Sequence, residues 1–113
     1  NNLDYGPGEI VLANGAKQAI ANAVLSIIDA GDEVIMLAPF WVSYETTVRF
    51  AGGTPVVLHS GISEGYKVPA SRIAAAVTPR TKAVVPTHWP GSTPDFDALL
   101  TCAKRHGLRG SLP

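Results

Sequence analysis

Gly31-Asp32-Glu33-Val34-Ile35-Met36-Leu37 is the stretch that decides the fold. Gly31 closes a helical segment, because glycine takes the left-handed conformation that ends helices at little steric cost. Glu33 to Leu37 then runs short and apolar, without the in-out alternation of a half-solvated strand. That is the pattern of a strand covered on both faces. Such a strand belongs to a parallel sheet with helices packed above and below it.

The same alternation extends in both directions. Upstream, Ala16, Ala19, Ile20, Ala23, Val24 and Ile27 share one helical face and predict a helix from Ala16 to about Ile28. Before it, Glu9 to Ala13 reads as a first strand that ends at Asn14-Gly15. Downstream, Tyr44, Thr47, Val48 and Ala51 give a helix from about Ser43 to Phe50; Gly52-Gly53 punctuates it, and Thr54 to Leu58 follows as a strand. Ser60 to Val68 is polar and reads as a surface loop. Pro69 opens a helix through about Ala76, Lys82 to Thr87 forms a fourth strand, and Asp95 to His106 a last helix with Phe96, Leu99, Leu100 and Ala103 inward. The expected architecture is α/β: three layers, a mostly parallel sheet with helices on both faces, and residues 1–113 forming a single partial domain.

Composition removes several function classes. With 46% hydrophobic and 16% charged residues in 113, the chain is globular rather than disordered. Nine Lys and Arg balance nine Asp and Glu, so no electrostatic basis exists for a nucleic-acid or anionic-membrane partner. No apolar run approaches the roughly 20 residues that span a bilayer. Asn1-Asn2-Leu3-Asp4 lacks the basic and apolar regions of a signal peptide, and a cytoplasmic location is expected. Cys102 has no partner for an internal disulfide, and His59, His88 and His106 lack ligand spacing, so no metal site is expected.

The candidate chemistry lies at two strand-to-helix junctions. At Ala13-Asn14-Gly15-Ala16-Lys17-Gln18, the amides of Gly15, Ala16 and Lys17 sit where a helix leaves its first N–H groups unpaired, and Lys17 adds a side-chain charge. These residues form a potential phosphate cradle; the alternative is a plain cap and turn. At Ala38-Pro39-Phe40-Trp41-Val42-Ser43-Tyr44, Trp41 taken alone reads as a core residue. In a parallel sheet, however, both junctions lie at the carboxyl edge, where α/β folds bind ligands, and an indole there is free to stack on a planar group. Elsewhere, Glu45, Glu64, Asp95 and Asp97 make no recognisable acid/base pair. His88 and Trp89 sit in a loop that could touch a ligand, Cys102 reads as a buried thiol, and Arg80 and Arg105 receive no role.

Five stretches carry a family resemblance: Glu9-Ile10-Val11-Leu12-Ala13-Asn14-Gly15-Ala16-Lys17-Gln18-Ala19, Gly31-Asp32-Glu33-Val34-Ile35, Ala38-Pro39-Phe40-Trp41-Val42-Ser43-Tyr44, Ala51-Gly52-Gly53-Thr54-Pro55-Val56 and Thr78-Pro79-Arg80-Thr81-Lys82-Ala83. In order and spacing they resemble the large domain of the fold-type-I pyridoxal-phosphate-dependent aminotransferases, most closely the aspartate aminotransferase class. Where that class places an Asn-Pro-Thr-Gly segment, this chain reads His88-Trp89-Pro90-Gly91-Ser92-Thr93-Pro94, with Gly91 at the Asn position. From Pro79 to Leu108 the chain looks instead like the related aminotransferases of nucleotide-linked keto-sugars, which share Pro86-x-His88-x-x-Gly91 and a helix like Asp97 to Gly107.

The resemblance implies pyridoxal 5'-phosphate as cofactor, with the positions of Gly15, Ala16 and Lys17 on its phosphate and that of Trp41 stacked on its pyridine ring. The implied reaction moves an amino group between an amino acid and a keto acid or keto-sugar, and a homodimer is the candidate assembly. Lys17, Lys67, Lys82 and Lys104 all miss the position of the family's Schiff-base lysine, and Gly110-Ser111-Leu112-Pro113 stands where the strand bearing the pyridine-binding Asp should follow. The chain is thus expected to be partial and not competent alone, with no catalytic residue assigned. Two other readings remain: a non-catalytic phosphate-binding module or pseudoenzyme, and a piece without stable independent function. The implied strand order also separates Glu9 to Ala13 from the other strands, so that run is expected either to re-pair against them or to close the sheet edge through another subunit.

Overall fold

The computed structural model describes residues 4–87 and 95–108. Its centre is β1 (Glu33–Ala38), flanked by β2 (Thr54–His59) on one side and β3 (Thr81–Val85) on the other, all parallel. β1 therefore has a hydrogen-bonded neighbour on each edge, and Val34, Ile35 and Met36 are essentially inaccessible. Four helices accompany the sheet among the described residues: α1 (Ala16–Ile27), α2 (Ser43–Phe50), α3 (Ala70–Ala76) and α4 (Phe96–Arg105).

The two-residue period of a strand divides the core into two halves. Val34 and Met36 of β1, with Ala83 and Val85 of β3, pack against Val24 of α1, Ile28 just beyond it, and Val48 of α2. Ile35 and Val84 point the other way, onto Ile73 of α3, Ala103 of α4 and Leu108. The three-layer α/β arrangement is as the sequence predicts. The chain runs from β1 to β2 through α2 and returns past β1 to β3 through α3, so the direction of strand addition reverses at β1. At such a reversal the helices lie on opposite faces and a crevice opens at the carboxyl edge.

Glycines set the joint beneath the first layer. The Gly31 N–H donates to the Gly52 carbonyl at 3.3 Å, and the Thr54 N–H to the Asp32 carbonyl at 2.7 Å, which ties the end of α1 to the end of α2. Gly53 is there because no side chain fits: a Cβ would lie 2.7 Å from Cγ2 of Ile28 and 3.3 Å from the Val48 carbonyl oxygen.

At the amino edge of the sheet, Glu33 is buried and its carboxylate binds β1 to the entry of β3. It accepts from the hydroxyls of Thr78 and Thr81 and from Nε of Arg80 at 3.1 Å, while its own N–H donates to the Arg80 carbonyl at 2.8 Å. The Thr78 hydroxyl first, and Arg80 with it, hold the Glu33 carboxyl below the ordinary glutamate value, against the opposing effect of burial.

Three expectations change. Glu9 to Ala13 is not a strand and does not re-pair with the other three. Pro7–Glu9 is a short 3-10 turn, and Ile10, Val11 and Leu12 are 58%, 80% and 94% exposed. An extended run has no internal hydrogen bonds, so it becomes a strand only beside a neighbour, and among the described residues no strand lies next to it. The predicted surface loop Ser60 to Val68 contains a 3-10 turn at Ile62–Glu64. On α4, Leu99 and Ala103 pack inward as expected, but Leu100 is 41% exposed because it falls off the stripe they define; the side chain of Phe96 lies outside the described set.

Two outcomes follow for stability. Gly53→Ala should lower unfolding free energy by about 1–3 kcal/mol in chemical denaturation, the cost of overpacking against a β-branched side chain and a backbone oxygen. For Glu33 the folded-state carboxyl is the stronger acid, so its contribution is present above pH 4.5, the ordinary value, and is lost as pH falls through the folded value. Glu33→Gln should therefore flatten the acid limb of a stability-versus-pH curve while lowering stability at neutral pH.

Candidate functional site

The α1 N-terminus lacks a side-chain cap. Gly15 occupies the N-cap position with φ 90° and ψ 166°, and no side chain accepts from the first-turn amides at that position. Its carbonyl accepts from Gln18 and Ala19 N–H, each at 3.2 Å, whereas Ala16 and Lys17 have no carbonyl one turn earlier to bond. The Gln18 side chain turns back to accept from the Asn14 N–H. Around Gly15 there is open space: an added Cβ would meet nothing within 4 Å. Small residues, open space, free donors and the positive end of the helix dipole together suit an anion.

The second junction arrives beside the first. β1 ends at Ala38, and the chain crosses the carboxyl edge through Pro39 to Val42 before α2 begins. Phe40 and Tyr44 pack into the core under α1 and α2, and between them Trp41 is turned outward, 59% exposed. The core placement that Trp41 suggests in isolation is thus overturned, since the two aromatic neighbours already fill that space. The Trp41 carbonyl accepts from the Tyr44 N–H at 2.9 Å, and the indole Nε1–H donates to Oγ of Ser43 at 3.0 Å. The Lys17 ammonium lies 6.0 Å from the Trp41 ring centroid, the outer reach of a cation–π contact.

Thus Gly15, Ala16, Lys17 and Trp41 converge at one end of the first helical layer. A phosphate would find the main-chain donors of Ala16 and Lys17 and the exposed Lys17 ammonium, and a flat ring attached to it would find an exposed indole face. A concavity of about 750 Å³ opens on the other face of the sheet near Leu37, Val68 and Leu99, but brings none of those four residues to its wall.

Several of the remaining candidates have structural employment. Glu45 pairs with Arg49 one turn on at 2.8 Å, Glu64 with Arg72 at 3.2 Å, and Arg80 is committed to Glu33. Asp95 caps α4, its carboxylate accepting from the Ala98 N–H at 3.0 Å. Cys102 is half-buried against the second core half. Lys67, Lys82 and Lys104 are exposed. His88, Trp89 and Gly91 lie outside the described residues, as do Arg109 and Gly110 to Pro113. Among the described residues no three His, Cys, Asp or Glu side chains converge on a metal position, and no helix is long and apolar enough to cross a membrane. Ser43 is the contributor that sequence reasoning missed; its only signal was its place two residues after Trp41.

Comparison with known proteins agrees with the α/β fold. The model of the DegT/DnrJ/EryC1/StrS aminotransferase family matches residues 9–109. The aspartate/prephenate aminotransferase of Nitrosomonas europaea is 43% identical over 102 residues, covering 88% of this chain and 26% of that protein. The probable aspartate/prephenate aminotransferase of Thermus aquaticus is 49% identical over 85 residues, 75% of this chain and 22% of the relative. Among solved structures, the aspartate aminotransferase of Rhizobium meliloti superposes with a TM-score of 0.82 at 38% identity, covering 95% of this chain and 28% of that one. The Thermus thermophilus aspartate aminotransferase with maleate gives 0.79 at 41% identity, covering 86% and 27%. The chain therefore spans about a quarter of the length of these relatives. On the match across residues 9–109, the chain belongs to the DegT/DnrJ/EryC1/StrS aminotransferase family.

Proposed function

We propose that residues 1–113 are a single partial large domain of an aminotransferase and that this part supplies the phosphate and ring seat for pyridoxal 5'-phosphate. The observation that carries this reading is the meeting of an uncapped helix start at Gly15 with the Lys17 ammonium 6.0 Å from the exposed Trp41 ring. Bound there, the cofactor would supply the electron sink that amino-group transfer requires.

Each residue then has a defined task. The amides of Gly15, Ala16 and Lys17 donate to phosphate oxygens, the Lys17 ammonium neutralises part of their charge, and the absence of a side chain at Gly15 permits close approach. Trp41 lays its indole against the heterocycle and keeps water from that face. The reaction served is transfer between an amino acid and a keto acid, in keeping with the aspartate/prephenate aminotransferase names of the relatives. Pro86-x-His88-x-x-Gly91 favours a second substrate, a nucleotide-linked keto-sugar, with the same seat. Neither reading assigns this chain a lysine for covalent attachment, so it is a binding portion, not a competent catalyst alone; a homodimer is the assembly we would look for first. The competing class, a pseudoenzyme or non-catalytic module, uses the same seat without transfer.

Lys17→Glu tests the seat. Equilibrium titration of the chain with pyridoxal 5'-phosphate should show affinity reduced roughly 10- to 100-fold, the range for losing a charge-assisted hydrogen bond. Pyridoxal without phosphate should bind wild type and variant equally weakly. Unchanged affinity in Lys17→Glu would overturn the assignment.

A further inference from the structure

An exposed indole is useful for stacking only if its orientation is fixed before the ligand arrives. Among the described residues packing does not fix Trp41: it belongs to neither half of the core, its neighbour Val42 is 78% exposed, and the flanking Phe40 and Tyr44 anchor the backbone but not this ring. Two hydrogen bonds hold it instead. One is from the Tyr44 N–H to the Trp41 carbonyl, which sets the turn; the other is from the indole Nε1–H to Oγ of Ser43 at 3.0 Å, which sets the ring. Ser43 is itself constrained as the first residue of α2, its carbonyl accepting from Oγ1 of Thr47 at 2.7 Å.

We propose that Ser43 is a positioning residue that tethers the indole edge to the start of α2, so that Trp41 is presented to a planar ligand with its face already oriented. The inference rests on the seat proposed above. The tether uses the only donor an indole has, and it occupies the ring edge, not a face. The Lys17 side chain over the ring and the Ser43 hydroxyl at its edge thus act on different parts of the same group.

The test uses the whole chain in a Trp89→Phe background, so that Trp41 is its sole indole. Fluorescence anisotropy decay of ligand-free Trp41 should show faster local motion in Ser43→Ala and wild-type-like motion in Ser43→Thr, which keeps the hydroxyl. Titration with pyridoxal 5'-phosphate should be weakened about two- to ten-fold by Ser43→Ala, the range of one net hydrogen bond, and recovered by Ser43→Thr. A role limited to starting α2 would lower stability and leave the ligand-free indole motion untouched; that outcome overturns the proposal. So does equal affinity in Ser43→Ala when the unsubstituted position 43 binds well, which leaves the seat itself standing. Failure of the unsubstituted chain to bind would remove the seat and this inference together.

Discussion

Everything in this molecule depends on β1 having a parallel neighbour on each edge and a helical layer on each face. That constraint explains why Val34 to Ala38 is apolar at positions of both parities, since Val34 and Met36 serve one layer and Ile35 the other. It also explains where the polar groups go. At the amino edge the Glu33 carboxylate is satisfied by Thr78, Arg80 and Thr81, which locks the two strands together. At the carboxyl edge the strand order reverses, and the chain leaves β1 into the turn that carries Trp41.

The functional asymmetry follows from those two edges. One end of the sheet is closed by an ion pair and hydroxyls gathered on the Glu33 carboxylate; the other is left with an uncapped helix, a cation and an outward indole. A helix N-terminus alone would be unremarkable, and so would an exposed tryptophan. Their meaning comes from α1 and α2 packing on the same face of the sheet, which places the first turn of one beside the entry of the other.

Sequence made most of this legible, for reasons that differ by element. β1, α1 and α2 could be read because each is specified locally, by an apolar run or a helical stripe ended by glycine. The uncapped helix start at Gly15 to Lys17 was legible because helix starts leave donors free whatever the surrounding fold. Glu9 to Ala13 failed because a strand is a relation between two segments: the apolar residues are there, but a run that makes no internal hydrogen bonds takes its conformation from a neighbour. Trp41 was ambiguous because an indole suits a core and a stacking face equally well, and only the packing of Phe40 and Tyr44 shows that this one lies outside the core. Ser43 was invisible because a hydroxyl near a helix start has many local uses, and its bond to the indole needs the turn geometry to be known.

The central claim is that main-chain donors at the head of α1 and the indole after β1 bind one ligand together. Nitrogen-edited NMR during addition of pyridoxal 5'-phosphate tests it most directly. The backbone signals of Gly15, Ala16 and Lys17 and the Nε1–H signal of Trp41 should shift along one saturating curve, with inorganic phosphate moving the backbone signals alone. Silent signals at those four residues, with shifts elsewhere in the chain, would contradict the account.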